Sequence, residues 1–161
     1  MKLSFNNETN DIADVDQEIR LIQQQQKRGY FVDDQRSEQK IRVGHKVFAD
    51  QVKLNYGYKC AITGITTKDF LVSSHIVPWS ENKEYRLDPQ NGICLSVLVD
   101  KAFDKGYIGI SNEYRVIFAP KLYKDVVLSE LLRPYENKKI KYPNFAPPKK
   151  EIFGVASKRK I

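Results

Sequence analysis

At 161 residues, 41% apolar and 29% charged, the chain has the balance of an ordinary globular protein, with room for one domain and extensions. No apolar run approaches the ~20 residues that cross a bilayer. Residues 1–8 lack the apolar centre of a secretory signal, so a cytoplasmic protein with no membrane partner is expected. The net charge of +7 lies wholly in residues 138–161, which hold eight Lys or Arg against one Glu, while the rest carries nineteen of each sign. A basic end beside a neutral body points to a polyanionic partner, a solubilising tail being the plain alternative.

Residues 1–9 are polar. Over residues 11–26, Ile12, Val15, Ile19 and Ile22 recur at helical spacing, with Asn10 as cap and Lys27-Arg28-Gly29 as stop. A second helix is expected from Ser37, with Ile41, Phe48, Val52 and Leu54 on its apolar side and Tyr56-Gly57-Tyr58 ending it. Gly44 weakens its middle by up to about 1 kcal/mol. Lys59-Cys-Ala-Ile-Thr-Gly64 reads as a short strand or a knuckle. Residues 70–76 and 93–98 read as strands around a polar loop, and 100–105 as a short helix stopped by Gly106. Residues 107–110 and 115–118 form a hairpin, 126–132 a last helix, and Pro143, Pro147 and Pro148 an extended exit.

The two cysteines, Cys60 and Cys94, could pair, but apolar flanks and no sign of export favour buried free thiols. With no Cys-x-x-Cys pair and only two histidines (His45 and His75), no structural zinc is expected.

The chemistry concentrates in one short stretch. His75 ends the first strand, Asn91 opens the second, and Asp100 and Asp104 follow, four apart on one helix face. Phosphodiester hydrolysis needs an activated water, charge neutralisation and help for the leaving oxygen. One histidine with one divalent ion can supply all three. An asparagine carbonyl or a backbone carbonyl would hold the imidazole in the useful tautomer, and oxygen ligands suit Mg²⁺ or Mn²⁺. Taken singly the pieces are bland: a structural histidine, a turn at Asn91-Gly92, and a solvated helix face with Lys101 and Lys105.

Together, Cys60-Ala-Ile-Thr-Gly64, Ser74-His-Ile-Val-Pro-Trp79, Arg86-Leu-Asp-Pro-Gln-Asn-Gly92 and Ala102-Phe-Asp-Lys-Gly106 resemble an HNH endonuclease of the restriction-type and phage- or defence-associated branch. Arg42-Val-Gly-His-Lys-Val-Phe48 resembles the segment that precedes the nuclease core there, and the resemblance spans roughly residues 36–120. It implies an α+β fold with a ββα-metal (HNH/His-Me finger) core, flanking helices and a β-hairpin. It also implies double-stranded DNA as the usual substrate and a divalent metal.

Carried over, His75 matches the general base, Asn91 the central asparagine, and Asp104, with Asp100, metal binding. Val99 stands where the last motif histidine is expected, so the resemblance implies that Val99→His would raise metal-dependent cutting. Ser74 is a weak ligand where some relatives carry an acid or histidine. The expected organisation is a helical extension over 1–36, a nuclease domain over 37–137 and a basic tail over 138–161. Lys101, Lys105, Arg115, Lys138, Lys139 and Lys141 are the expected DNA contacts. The alternative function is a degenerate HNH domain that binds DNA or a partner nuclease without cutting.

Overall fold

A computed structural model describes residues 34–78, 84–149 and 152–153. The helix expected over 11–26 lies outside the described residues. The chain divides into two units, 1–47 and 48–161. In the first, the described residues are helical: helix α1 spans Asp34–Asn55 and begins three residues before the expected cap at Ser37. The second unit takes in α1 from Phe48 onward.

The end of α1 is set by backbone conformation. Gly57 and Tyr58 both take positive φ, 59° and 51°, and the Tyr58 amide bonds back to the Lys53 carbonyl at 2.8 Å. Such a left-handed step satisfies carbonyls that a helix end would otherwise leave orphaned. Residues 60–65 are a knuckle rather than a strand, closed by the Cys60 amide on Ile65 O (2.8 Å) and the Gly64 amide on Cys60 O (3.0 Å).

Strands β1 (Leu71–His75) and β2 (Gly92–Ser96) pair antiparallel, with Leu71 opposite Ser96 and His75 opposite Gly92. Every residue of β2 is buried, and it runs directly into helix α2 (Val97–Asp104). Val97 and Leu98, expected in the strand, are therefore the first turn of the helix. A short apolar run cannot by itself tell a strand from a buried helix segment. Helix α2 packs on both strands through buried Val99, Ala102 and Phe103, and ends at Gly106, whose φ is +67°.

Strands β3 (Ile108–Ile110) and β4 (Val116–Phe118) form the expected second hairpin, and helix α3 spans Val126–Leu132. Asp125 caps α3, its carboxylate accepting the Leu128 amide at 3.0 Å. One core joins these elements, with Phe48, Ile76, Ile93, Leu95, Phe103 and Leu122 deeply buried.

Described residues of the segment expected as a tail bond to this unit. Lys139 bridges Arg115 beside β4. The Ile140 amide donates to Tyr114 O and the Lys141 amide to Ala61 O, each at 2.8 Å. Ile140, Ile152 and Phe153 are buried core residues. Apolar positions thus stand among the lysines of the segment expected as a basic tail, and they pack on the core.

Candidate functional site

The β1–β2 pair brings His75 and Asn91 together at its loop end, where the Ile76 amide donates to Asn91 O at 2.9 Å. Asn91 is 1% exposed. Its Oδ1 accepts the Val77 amide at 2.8 Å, and its Nδ2 donates to Val77 O at 3.0 Å and to Tyr85 O at 3.1 Å. One buried amide thus ties both flanks of the loop between the strands. Each polar atom left unsatisfied there would cost about 1–3 kcal/mol.

His75 is half-buried, and its Nε2 lies 2.9 Å from the backbone carbonyl of Arg86. Of the two holders expected for the imidazole, the backbone carbonyl is the one in contact. Asn91 works one step back, by fixing Tyr85 next to Arg86 in the chain. A second support comes from α1: the Phe48 ring stacks on the His75 ring at 4.0 Å between centroids and 9° between planes.

Gly92 makes this packing possible. A β-carbon there would collide with the Val52 side chain and stand 2.9 Å from Phe48 Cζ. The dipeptide Asn91-Gly92 is not a simple turn. Asn91 closes a 3-10 turn over Pro89–Asn91, and Gly92 opens β2 where α1 approaches most closely.

On α2, Asp100 and Asp104 are four apart and share a face, from which the adjacent Val99 is turned by about 100°. Asp100 is half-buried and Asp104 exposed, and the Asp104 carboxylate lies 3.8 Å from Lys105 Nζ. Val99 is 1% exposed within the hydrophobic core. Helix α2 directs this side chain into its packing against the strands. Among the described residues, no three His, Cys, Asp or Glu side chains come together as a metal cluster.

Lys101 on α2 and Lys105 at its C-cap are exposed, and the Lys105 carbonyl accepts Lys121 Nζ at 2.6 Å. Arg115 donates from Nη1 to Asn137 O at 2.7 Å, and Lys138, Lys139 and Lys141 are all exposed. Arg115 and Lys139 stand opposite each other across their bridge, which gathers like charge on one edge. Phe48 and Arg86, whose ring and carbonyl meet the His75 ring, were not singled out from the sequence as site residues.

Cys60 and Cys94 are buried free thiols, as expected. Burial pushes the Cys94 thiol up to about 11, with Cys60 adding to the rise. Burial also raises Cys60, but hydrogen bonds from Thr63, Ile62 and Ser96 outweigh it and hold that thiol below its ordinary value.

Residues 60–111 match the HNH endonuclease family model. The match runs from the Cys60 knuckle through β1, β2 and α2 to the end of β3, and so contains His75, Asn91, Asp100 and Asp104. The resemblance read from the motifs therefore holds for this segment. HNH endonuclease domains act on DNA and generally use a divalent metal. A search of curated proteins finds no match to the chain. No helix among the described residues is long and apolar enough to cross a membrane.

Proposed function

We propose that the chain is a metal-dependent endonuclease that hydrolyses phosphodiester bonds of double-stranded DNA through a ββα-metal core. The observation that carries this reading is the contact of His75 Nε2 with the Arg86 carbonyl, inside the segment that matches HNH endonucleases. A carbonyl oxygen only accepts, so Nε2 carries the proton and Nδ1 is the basic nitrogen of the neutral ring. His75 then acts as the general base, taking the proton of the attacking water at Nδ1. The Arg86 carbonyl stabilises the positive charge the ring gains, and Phe48 restrains the ring plane. Asn91 is a positioning residue that acts through the loop bearing Arg86.

Asp100 and Asp104 are the proposed holders of the metal ion. Two hard oxygen donors with the remaining positions left to water and phosphate suit Mg²⁺ or Mn²⁺, which bind through few carboxylates. Bound there, such an ion would neutralise phosphate charge and help the leaving oxygen depart. Lys101, Lys105, Arg115, Lys138, Lys139 and Lys141 are assigned to phosphates, giving affinity without sequence choice. Restriction or phage defence in a bacterial cytoplasm is the setting we assign.

The second reading is a domain of this kind that binds DNA or a partner nuclease without cutting. It is favoured by α2, which carries a core valine at position 99 and no histidine. Supercoiled plasmid incubated with Mg²⁺, Mn²⁺ or EDTA separates the two. The nuclease reading expects metal-dependent nicking that Asp100→Asn strongly reduces. Plasmid retarded in a gel but never nicked would support the binder.

A further inference from the structure

We propose that residues 138–149 form a rail for an unpaired stretch of nucleic acid, with lysines on phosphates and Phe145 and Tyr142 stacking on bases. The segment reads Lys138-Lys-Ile-Lys-Tyr-Pro-Asn-Phe-Ala-Pro-Pro-Lys149, four lysines with no acid among them. All four lysines are exposed, and none has a carboxylate partner among the described residues. Between them stand two large aromatics, Phe145 at 78% exposure and Tyr142 at 55%.

Single exposed apolar residues are common and need no explanation. What distinguishes these is the rigidity of the backbone that carries them. The Asn144 amide donates to Asn55 O at 2.6 Å, and the Phe145 and Ala146 amides converge on Asn55 Oδ1 at 2.9 and 3.2 Å. Asn55 Nδ2 returns a bond to Ala146 O at 3.1 Å. Gln90 Nε2 holds Pro147 O at 3.2 Å, and Tyr114 Oη holds Pro148 O at 2.8 Å. Asn55 is buried, so its amide fixes the chain from inside and presents Phe145 outward.

The Tyr142 ring lies against the Tyr114 ring, 4.9 Å between centroids and tilted by 51°. A bonded backbone that carries two exposed aromatics between exposed lysines matches the two needs of a single strand: charge along the phosphates and flat faces for the bases. Paired bases in a duplex are already stacked and would leave the aromatics unused. Gln90, which holds Pro147, is the neighbour of Asn91, so the rail is tied to the loop at the candidate site.

This inference rests on the reading that the chain acts on nucleic acid, but it is tested without cutting. Full-length protein in EDTA is titrated into fluorescent oligothymidine and into a blunt duplex of the same length. Phe145→Ala is expected to weaken oligothymidine binding by at least about fivefold, the lower end for removal of one base stack, while leaving duplex binding unchanged. Replacing Lys138, Lys139 and Lys141 by Gln should lower the single-strand salt slope by ~0.7 for each lysine that no longer meets a phosphate. Because Phe145 is exposed, the melting temperature of Phe145→Ala should equal that of the wild type. Failure of the wild type to bind oligothymidine would overturn the proposal, as would equal weakening for both probes with Phe145→Ala. Either failure would leave metal-dependent nicking of plasmid untouched as a separate question.

Discussion

The imidazole of His75 lies flat on the ring of Phe48, 4.0 Å between centroids with the planes 9° apart. Two restraints therefore meet on one ring: the Arg86 carbonyl fixes its edge and Phe48 fixes its plane. A base held in this way loses little orientational freedom when a proton is transferred. Phe48→Leu keeps apolar volume but removes the flat platform. It should lower kcat for nicking more than it raises KM, with a smaller loss of stability than the ~3–5 kcal/mol typical of a core Phe→Ala change. Steady-state nicking beside chemical denaturation checks both.

Gly92 is required by close approach. Gly92→Ala should cost ~1–3 kcal/mol through overpacking against Val52. Adding Val52→Ala removes the nearest obstacle. The double variant should therefore be more stable than the two single effects predict, by about 1 kcal/mol, the mark of two residues in direct contact. Additive effects in denaturant titrations would place the constraint elsewhere.

Val99→His, which the motif resemblance favours as a gain, should instead destabilise the protein. The side chain is 1% exposed and faces the core, and a polar group buried there without a partner costs ~1–3 kcal/mol. Thermal unfolding should show a lower Tm, and nicking per folded molecule should not rise. A stable Val99→His variant with enhanced metal-dependent nicking would return position 99 to the site.

Stability should decline in alkali. The Cys94 thiol titrates near 9.0 when unfolded and is pushed up to about 11 in the fold. The folded state holds this proton more tightly, so the stabilisation is complete below about pH 9 and is lost as pH rises towards 11. Burial, with Cys94 and Tyr114 adding to it, pushes the Tyr56 hydroxyl above its ordinary range, which acts in the same direction above pH 10. Denaturation midpoints measured from pH 8 to 11 should fall for the wild type and fall less for Cys94→Ala.

Much of this was legible in the sequence because the chain punctuates itself. Gly57, Gly64 and Gly106 mark the end of α1, the knuckle and the end of α2, and each adopts positive φ. The runs over 107–110 and 115–118 located the second hairpin, and the run over 126–132 located α3. What could not be read follows from physics that leaves no side-chain signature. Any residue offers a backbone carbonyl, so nothing about Arg86 announced its bond to His75. Val97 and Leu98 suited a strand as well as a helix. The lysines after residue 137 masked Ile140, Ile152 and Phe153, which draw the segment onto the core.

The central claim is that His75 removes the proton from the attacking water. The most direct measurement is the single-turnover nicking rate of His75→Ala against wild type, on supercoiled plasmid in saturating Mg²⁺ or Mn²⁺. A fall of roughly 10²–10⁴-fold is expected, the usual contribution of a positioned general base, with plasmid binding in EDTA unchanged. Equal nicking rates for the two proteins, or no metal-dependent nicking by the wild type, would contradict it.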